Sequence, residues 1–302
     1  MTNFPRDLLF SKGKYKDAGV LIKIIQLLLI FFVFIFLAII LTTLTTNNDL
    51  TSIKNIKIAQ LFQFVLLFIL PPFVLAYMWS TKPLEYINLS QKFNLKSISL
   101  IIVFMVISIP FINLLAYLNQ QIVLPAFLSP LENWMKASET EIATLTEKLL
   151  NVHSVSDLAF NILLIAILPA LGEELFFRAT IQKVFSEWRG VVFGIWIAAF
   201  IFSFIHMQFY GFFPRLLLGA FFGYLLWWSG SLWLPIIAHF INNVIAVVFY
   251  YLKFNGVQVI DIDTIGTKET LYLGVLSGVF SIAGILLIKR NLTTKKSLTC
   301  FL

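Results

Sequence analysis

Residues 162–181 read ILLIAILPALGEELFFRATI, an apolar run of membrane-helix length that carries Glu173, Glu174 and Arg178. Each ionisable side chain at membrane depth costs about 3 kcal/mol, so such groups face a partner or an interior cavity and mark a functional site by default. Working outward, the next apolar segment carries His206, and a later one carries His239 and Asn243. These polar groups sit in segments that are otherwise almost wholly apolar.

The rest of the chain fits that reading. Its 302 residues are 59% hydrophobic and only 12% charged, with a mean hydropathy of +0.91. That composition excludes an ordinary soluble globular domain and indicates an all-α, polytopic transmembrane helical bundle. A membrane helix needs about 20 apolar residues. Runs of that kind occur at 20–46, 58–79, 97–118, 157–186, 190–208, 211–228, 231–252 and 270–288, which predicts about eight spans. There is no internal repeat or low-complexity linker, so 1–302 reads as a single integral membrane domain with a catalytic core at 155–250. The polar stretch before the first span is unlike a cleaved signal peptide, and the first span is expected to be a retained anchor. The single cysteine, Cys300, provides no disulfide framework and stands one residue too near the end for a prenylation tail.

Charge predicts orientation. With eight spans, one set of loops holds fourteen basic residues (Arg6, Lys12, Lys14, Lys16, Lys23, Lys82, Lys92, Lys96, Lys183, Arg189, Lys289, Arg290, Lys295 and Lys296) against four acidic ones. The opposite loops hold six basic residues against nine acidic ones. The positive-inside rule makes the first set cytoplasmic, together with both termini, in a multi-pass protein of the cell membrane. The net charge of +7 is matched by anionic lipid headgroups and requires no nucleic-acid partner. On the outer side, Ser129-Pro130-Leu131-Glu132 has capping-box spacing. Leu131, Met135, Ile142, Leu145, Leu149 and Val152 follow it at helical spacing, predicting an amphipathic helix over 129–152 on the membrane surface.

On a helix, Glu174 and Arg178 are an i, i+4 pair with the acid first, the favourable order. Glu173 is rotated by about 100° from its neighbour, which leaves one carboxylate held by arginine and the other free to act on water as a general base. The pair read alone fits a clasp between helices equally well. Glu173 and His206 lie symmetrically about the turn near Trp188-Arg189-Gly190, and in an antiparallel hairpin such residues stand at one height. Ten residues at about 1.5 Å each put both about 15 Å deep, and His239 comes to about 12 Å. The cavity so formed is expected to open toward the cytoplasmic half or laterally to lipid. Asn243, one turn beyond His239, can donate to an oxyanion without ionising. Phe202 reads as core packing, with a wall of the cavity as its other reading, Asn242 as a hydrogen-bonding bridge between helices, and Arg215 as interfacial or structural. Gly211, Gly219 and Gly223 read as sites of close helix approach.

Glu173-Glu174-x-x-x-Arg178, Phe202-x-x-x-His206 and His239-x-x-x-Asn243 together resemble, in order, the three-motif signature of the CPBP family of CAAX proteases and bacteriocin-processing enzymes, also called Abi. The resemblance covers about 155–250. It implies an all-helical intramembrane endopeptidase similar to the type II CAAX prenyl protease. Carried over position by position, Glu173 would activate water with His206, and His239 and Asn243 would stabilise the oxyanion. Glu174 and Arg178 would support them. Glu173, His206 and His239 also make a possible zinc set with an open position for water. No H-E-x-x-H is present, however, and taking Glu173 as a ligand leaves no free carboxylate as base, so a metal-free glutamate-activated water is favoured. The expected partners are a protein or peptide substrate in or near the membrane and the lipid bilayer. A transporter is the alternative from another class, since buried ionisable groups also line ion paths. A non-cleaving scaffold or immunity protein of the same family is a third reading.

Overall fold

The computed structural model describes residues 11–293, which are helical with no strand among them. Both chain ends, with Arg6, Lys295, Lys296 and Cys300, lie outside the described residues, and so do the expectations for the termini. The main helices are α1 (Val20–Thr46), α2 (Ile53–Trp79), α3 (Leu95–Ile107), α4 (Ile109–Gln120), α5 (Ser129–Leu150), α6 (Val155–Arg189), α7 (Val191–Ile205), α8 (Phe212–Ser229), α9 (Trp233–Phe254) and α10 (Leu271–Leu292).

Each of the eight apolar runs becomes helix, but the runs do not all have spanning length. Six helices are long and apolar enough to cross a membrane, and α3 with α4 makes a seventh when the pair is taken as one span. These two meet at a 43° bend, where Pro110 in the first turn of α4 has no N–H to continue the ladder. The fifth run, 190–208, is shortened. α7 ends at Ile205 after 15 residues, about 22 Å of helix against a hydrocarbon core of about 30 Å. Met207 follows in the left-handed region at φ +56° and turns the chain back.

Hydrogen bonds between loops sort the helix ends into two faces. At one face Lys23 Nζ pairs with Glu187 Oε2 at 2.6 Å, Asn88 Nδ2 donates to the Gly230 carbonyl at 2.9 Å, and Asn291 Nδ2 donates to Ser97 Oγ at 3.0 Å. The loops meeting there are those rich in Lys and Arg. At the other face Asn119 Nδ2 donates to the Phe209 carbonyl at 3.0 Å, and Asn255 Nδ2 donates to the Val152 carbonyl at 3.0 Å. The grouping of loops deduced from charge is therefore the grouping in the fold.

The amphipathic segment forms α5 at this second face. Its start differs from the capping-box expectation. A 3-10 turn at Ala126–Leu128 runs straight into the helix, so Ser129 already has helical angles (φ −55°, ψ −37°) and cannot cap. Glu132 instead accepts from the Leu124 N–H at 3.3 Å and pairs with Lys136 at 2.7 Å.

Lipid contact explains why α1 is apolar on every side: Leu21, Leu29 and Phe36 are each more than 60% exposed. The interior holds a layer around Phe68, Leu75, Phe177 and Phe202 and another around Ile101, Met105, Phe221 and Leu225. Small residues set the closest approaches, as membrane bundles require. Gly190 turns α6 into α7 at φ +88°. A Cβ on Gly194 would overlap the Ser186 hydroxyl and the Gln182 carbonyl, so α6 and α7 touch backbone to backbone there.

Candidate active site

The centre of α6 departs from α-helical winding. Ile162–Ile167 and Glu174–Gln182 are π-helical, with the α-helical turn Leu168–Glu173 between them. Such insertions are frequent at functional sites, and here Glu173 and Glu174 straddle the junction. Glu174 and Arg178 are 0% and 1% exposed, and Glu174 Oε2 faces Arg178 Nε at 3.1 Å. The guanidinium also donates from Nη2 to the Gly219 carbonyl at 3.1 Å and lies over the Phe202 ring, 4.6 Å from its centroid.

Glu174 has a second partner. Its Oε1 lies 2.8 Å from His239 Nδ1, and Glu173 Oε2 lies 3.7 Å from His239 Nε2. Rotation of adjacent helical residues sends the two carboxylates apart, yet both reach one ring because its two nitrogens lie on different edges. An ionised carboxylate only accepts, so Nδ1 carries the proton given to Glu174. Phe222 stacks on the same imidazole at 5.3 Å and 21°.

His206 is fixed differently. It caps the end of α7, where backbone carbonyls lose their helical partners, and its Nδ1 lies 2.6 Å from the Phe202 carbonyl. A carbonyl only accepts, so the proton is on Nδ1 and Nε2 is left as an acceptor. Asn243 is held by a carbonyl that proline has freed. Pro169 has no N–H to offer the Ile165 carbonyl one turn back, and Asn243 Nδ2 donates to that carbonyl at 3.2 Å. Asn242 Nδ2 donates in turn to Asn243 Oδ1 at 3.2 Å. One N–H of the Asn243 amide remains for another acceptor.

Glu173, His206, His239 and Asn243 line one cavity of about 350 Å³, together with Phe202, Phe222, Arg215 and Asn242. A larger space of about 1040 Å³ lies between α2 and α5 and contains none of the four. Glu174 and Arg178 lie behind the wall of the smaller cavity. Arg215 was not among the site residues expected from the sequence, which gave it an interfacial or structural place. Arg215 faces the cavity, held by Gln208 Oε1 at 2.6 Å and the Gln208 carbonyl at 3.3 Å. Its signal was available, as a third ionisable group within an apolar segment. Phe202, read as packing, both packs and walls the cavity. Gly211, Pro214 and Arg215 among the lining residues put the cavity toward the turn after α7, away from the basic half that was one of its two expected openings.

Residues 155–245 match the family model described as type II CAAX prenyl endopeptidase Rce1-like. This stretch is an Rce1-like domain of the CAAX protease family. The comparisons with curated proteins and with solved structures give no match. The matched stretch comprises α6 to α8 and the first half of α9, so every lining residue of the cavity except Ile112 comes from it. The chain is thus a multi-pass membrane protein with a domain of an intramembrane-protease family.

The residues were also tested as a metal site. Among the described residues no group of three His, Cys, Asp or Glu side chains is arranged to hold a metal ion. His239 already gives Nδ1–H to Glu174, and His206 gives Nδ1–H to a backbone carbonyl. Both bonds leave the Nε2 atoms free, as the bonds that orient a metal-binding histidine do, so they do not distinguish a metal from a metal-free water.

Proposed function

We propose that this protein is an intramembrane endopeptidase that hydrolyses a peptide bond of a membrane or membrane-adjacent protein by glutamate-activated water, without a metal. The observation that carries the reading is the gap between Glu173 and His239. At 3.7 Å it exceeds a direct hydrogen bond and suits a water bonded to both groups. Glu173, with the free Nε2 of His206, takes a proton from that water as its oxygen adds to the carbonyl carbon. The carbonyl oxygen gains negative charge and accepts from the remaining Asn243 N–H and from His239 Nε2–H. With Nδ1–H already given to Glu174, donation from Nε2 requires His239 to be the imidazolium. The Glu174 carboxylate orients that ring, and Arg178 holds Glu174 in place. The proton taken from water then passes to the departing amine as the C–N bond breaks.

The protein is assigned to the cell membrane, with the basic face and both termini cytoplasmic. Its partners are a polypeptide substrate and the bilayer, with no nucleic acid. A transporter is the weaker reading, because the polar groups converge on one cavity instead of recurring along a path. Comparing cleaved termini in the membrane proteomes of cells with wild-type protein and with Glu173→Ala tests the function. Termini present only with the wild type support cleavage, and identical sets of termini contradict it.

A further inference from the structure

Resting on the hydrolytic reading of this cavity, we propose that Arg215 is a substrate-binding residue, which holds a carboxylate of the polypeptide within about two residues of the bond that is cut. An acidic side chain or the substrate's own C-terminus can supply that carboxylate. Two features lead there: the cation has no counter-ion, and part of its hydrogen-bonding fork is unused.

Charge distinguishes the two arginines of the site. Arg178 is neutralised by the Glu174 carboxylate at 3.1 Å. Arg215 lines the cavity itself, and among the described residues its hydrogen-bond partners are the Oε1 and the main-chain carbonyl of Gln208, both neutral. The carboxylates whose charge reaches it are Glu139 and Glu173, and neither is within ion-pair distance. Glu139 accepts from the Tyr210 N–H, and Glu173 faces His239. The fold adds positive charge to this cation. Arg215 stands at the start of α8, the positive end of the helix dipole, where a basic side chain is disfavoured and an anion is favoured. A cation within an apolar segment that nothing in the chain neutralises costs free energy, and an anionic group entering the cavity offsets that cost.

Geometry makes that anion a carboxylate. A guanidinium carries five N–H donors in a planar fork. Gln208 engages Nη2 at 2.6 Å and Nη1 at 3.3 Å. The remaining N–H groups, Nε–H among them, have no partner among the described residues and suffice for the two parallel bonds by which arginine grips a carboxylate. The fork is also held in place. A Cβ on Gly211 would lie 3.2 Å from Nη2 and 3.7 Å from Nη1, so the guanidinium packs against a glycine that leaves room for it. Held on one side by Gln208 and on another by Gly211, it loses little freedom on binding. Cavity size sets the reach. A compact space of about 350 Å³ is about 7 Å across, the length of about two extended residues. Glu173 lines the same space, so a carboxylate on Arg215 belongs to a residue beside the bond that the water attacks.

The test uses the full chain purified in detergent and a synthetic peptide spanning a cut site found by the proteome comparison. The peptide is made unaltered, with the acidic side chains near the cut changed to their amides, and with its C-terminus amidated. On the form that lacks the bound carboxylate, the wild type is expected to lose on the order of 10–100-fold in kcat/KM, chiefly through KM. Arg215→Gln should lose as much on the unaltered peptide and nothing further on that neutral form, and the neutral form that shows this coupling names the source of the carboxylate. Arg215→Lys keeps the charge without the fork and serves the same comparison should Arg215→Gln fail to accumulate. An arginine with a merely structural role slows all the peptides by one factor. That result overturns the inference, as does full activity of Arg215→Gln or a set of cut sites with no carboxylate in reach. A wild type that cleaves nothing marks instead the failure of the hydrolytic reading, and the inference falls with it.

Discussion

His239 Nδ1 and Glu174 Oε1 lie 2.8 Å apart in a site where Glu174 is fully buried and also faces Arg178. One carboxylate therefore orients the imidazole and neutralises the guanidinium. Glu174→Gln keeps the shape and removes the charge, leaving Arg178 without its counter-ion. Breaking a buried pair in this way costs about 3–5 kcal/mol. Thermal unfolding of the purified variant in detergent is expected to show a clearly lowered Tm together with reduced turnover. A variant as stable as the wild type would remove Glu174 from this structural role.

Asn243 joins the oxyanion role to a structural one. Asn243→Ala should lower kcat on the order of 10²–10³-fold with KM little changed, as expected for a donor that acts on developing charge. It also leaves the Ile165 carbonyl unpaired, which costs about 1–3 kcal/mol, so a modest fall in Tm accompanies the loss. Steady-state kinetics and a melting curve on the same preparation separate the two effects. A raised KM with unchanged kcat would instead make Asn243 a substrate-binding group.

α6 and α7 pack closely at Gly194, in the first turn of the helix that ends at His206. Gly194→Ala puts a Cβ into the Ser186 hydroxyl and the Gln182 carbonyl and forces the helices apart. The expected outcome is destabilisation of about 1–3 kcal/mol and a fall in kcat, although Gly194 does not line the cavity. Ser186→Ala removes one of the three close atoms, leaving the Gln182 carbonyl and the Ser186 backbone nitrogen, and in the Gly194→Ala background it should recover part of the loss. Absence of any such recovery would contradict the packing argument.

Much of this fold was legible because hydropathy dictates where a chain can cross lipid, and charge dictates which loops share a face. The departures arise where backbone chemistry overrides apolar length. Pro110 bends one span into two helices, and the chain breaks after Ile205, so a run read as 190–208 yields a short helix. That break moves His206 from an assumed mid-depth position to a helix end, which is why the cavity lies away from the basic face. The Glu174–Arg178 pairing follows from i, i+4 spacing. The Glu174–His239 contact depends on the relative rotation of α6 and α9, which no local pattern encodes. The Asn243 contact with Ile165 does carry a sequence trace, since Pro169 four residues later orphans that carbonyl. Arg215, expected to be interfacial or structural, lines the cavity and meets the same criterion of an ionisable group at membrane depth.

The central claim is that Glu173 removes a proton from water without a metal. It is tested most directly by cleavage of a membrane-protein substrate, drawn from the proteome comparison, by purified wild-type and Glu173→Gln protein in detergent, each with and without a chelator. The account predicts that Glu173→Gln folds as the wild type does but cleaves on the order of 10²–10⁴-fold more slowly, and that chelator leaves the wild type unchanged. Full activity of Glu173→Gln, or wild-type activity lost to chelator and restored by zinc, would contradict it.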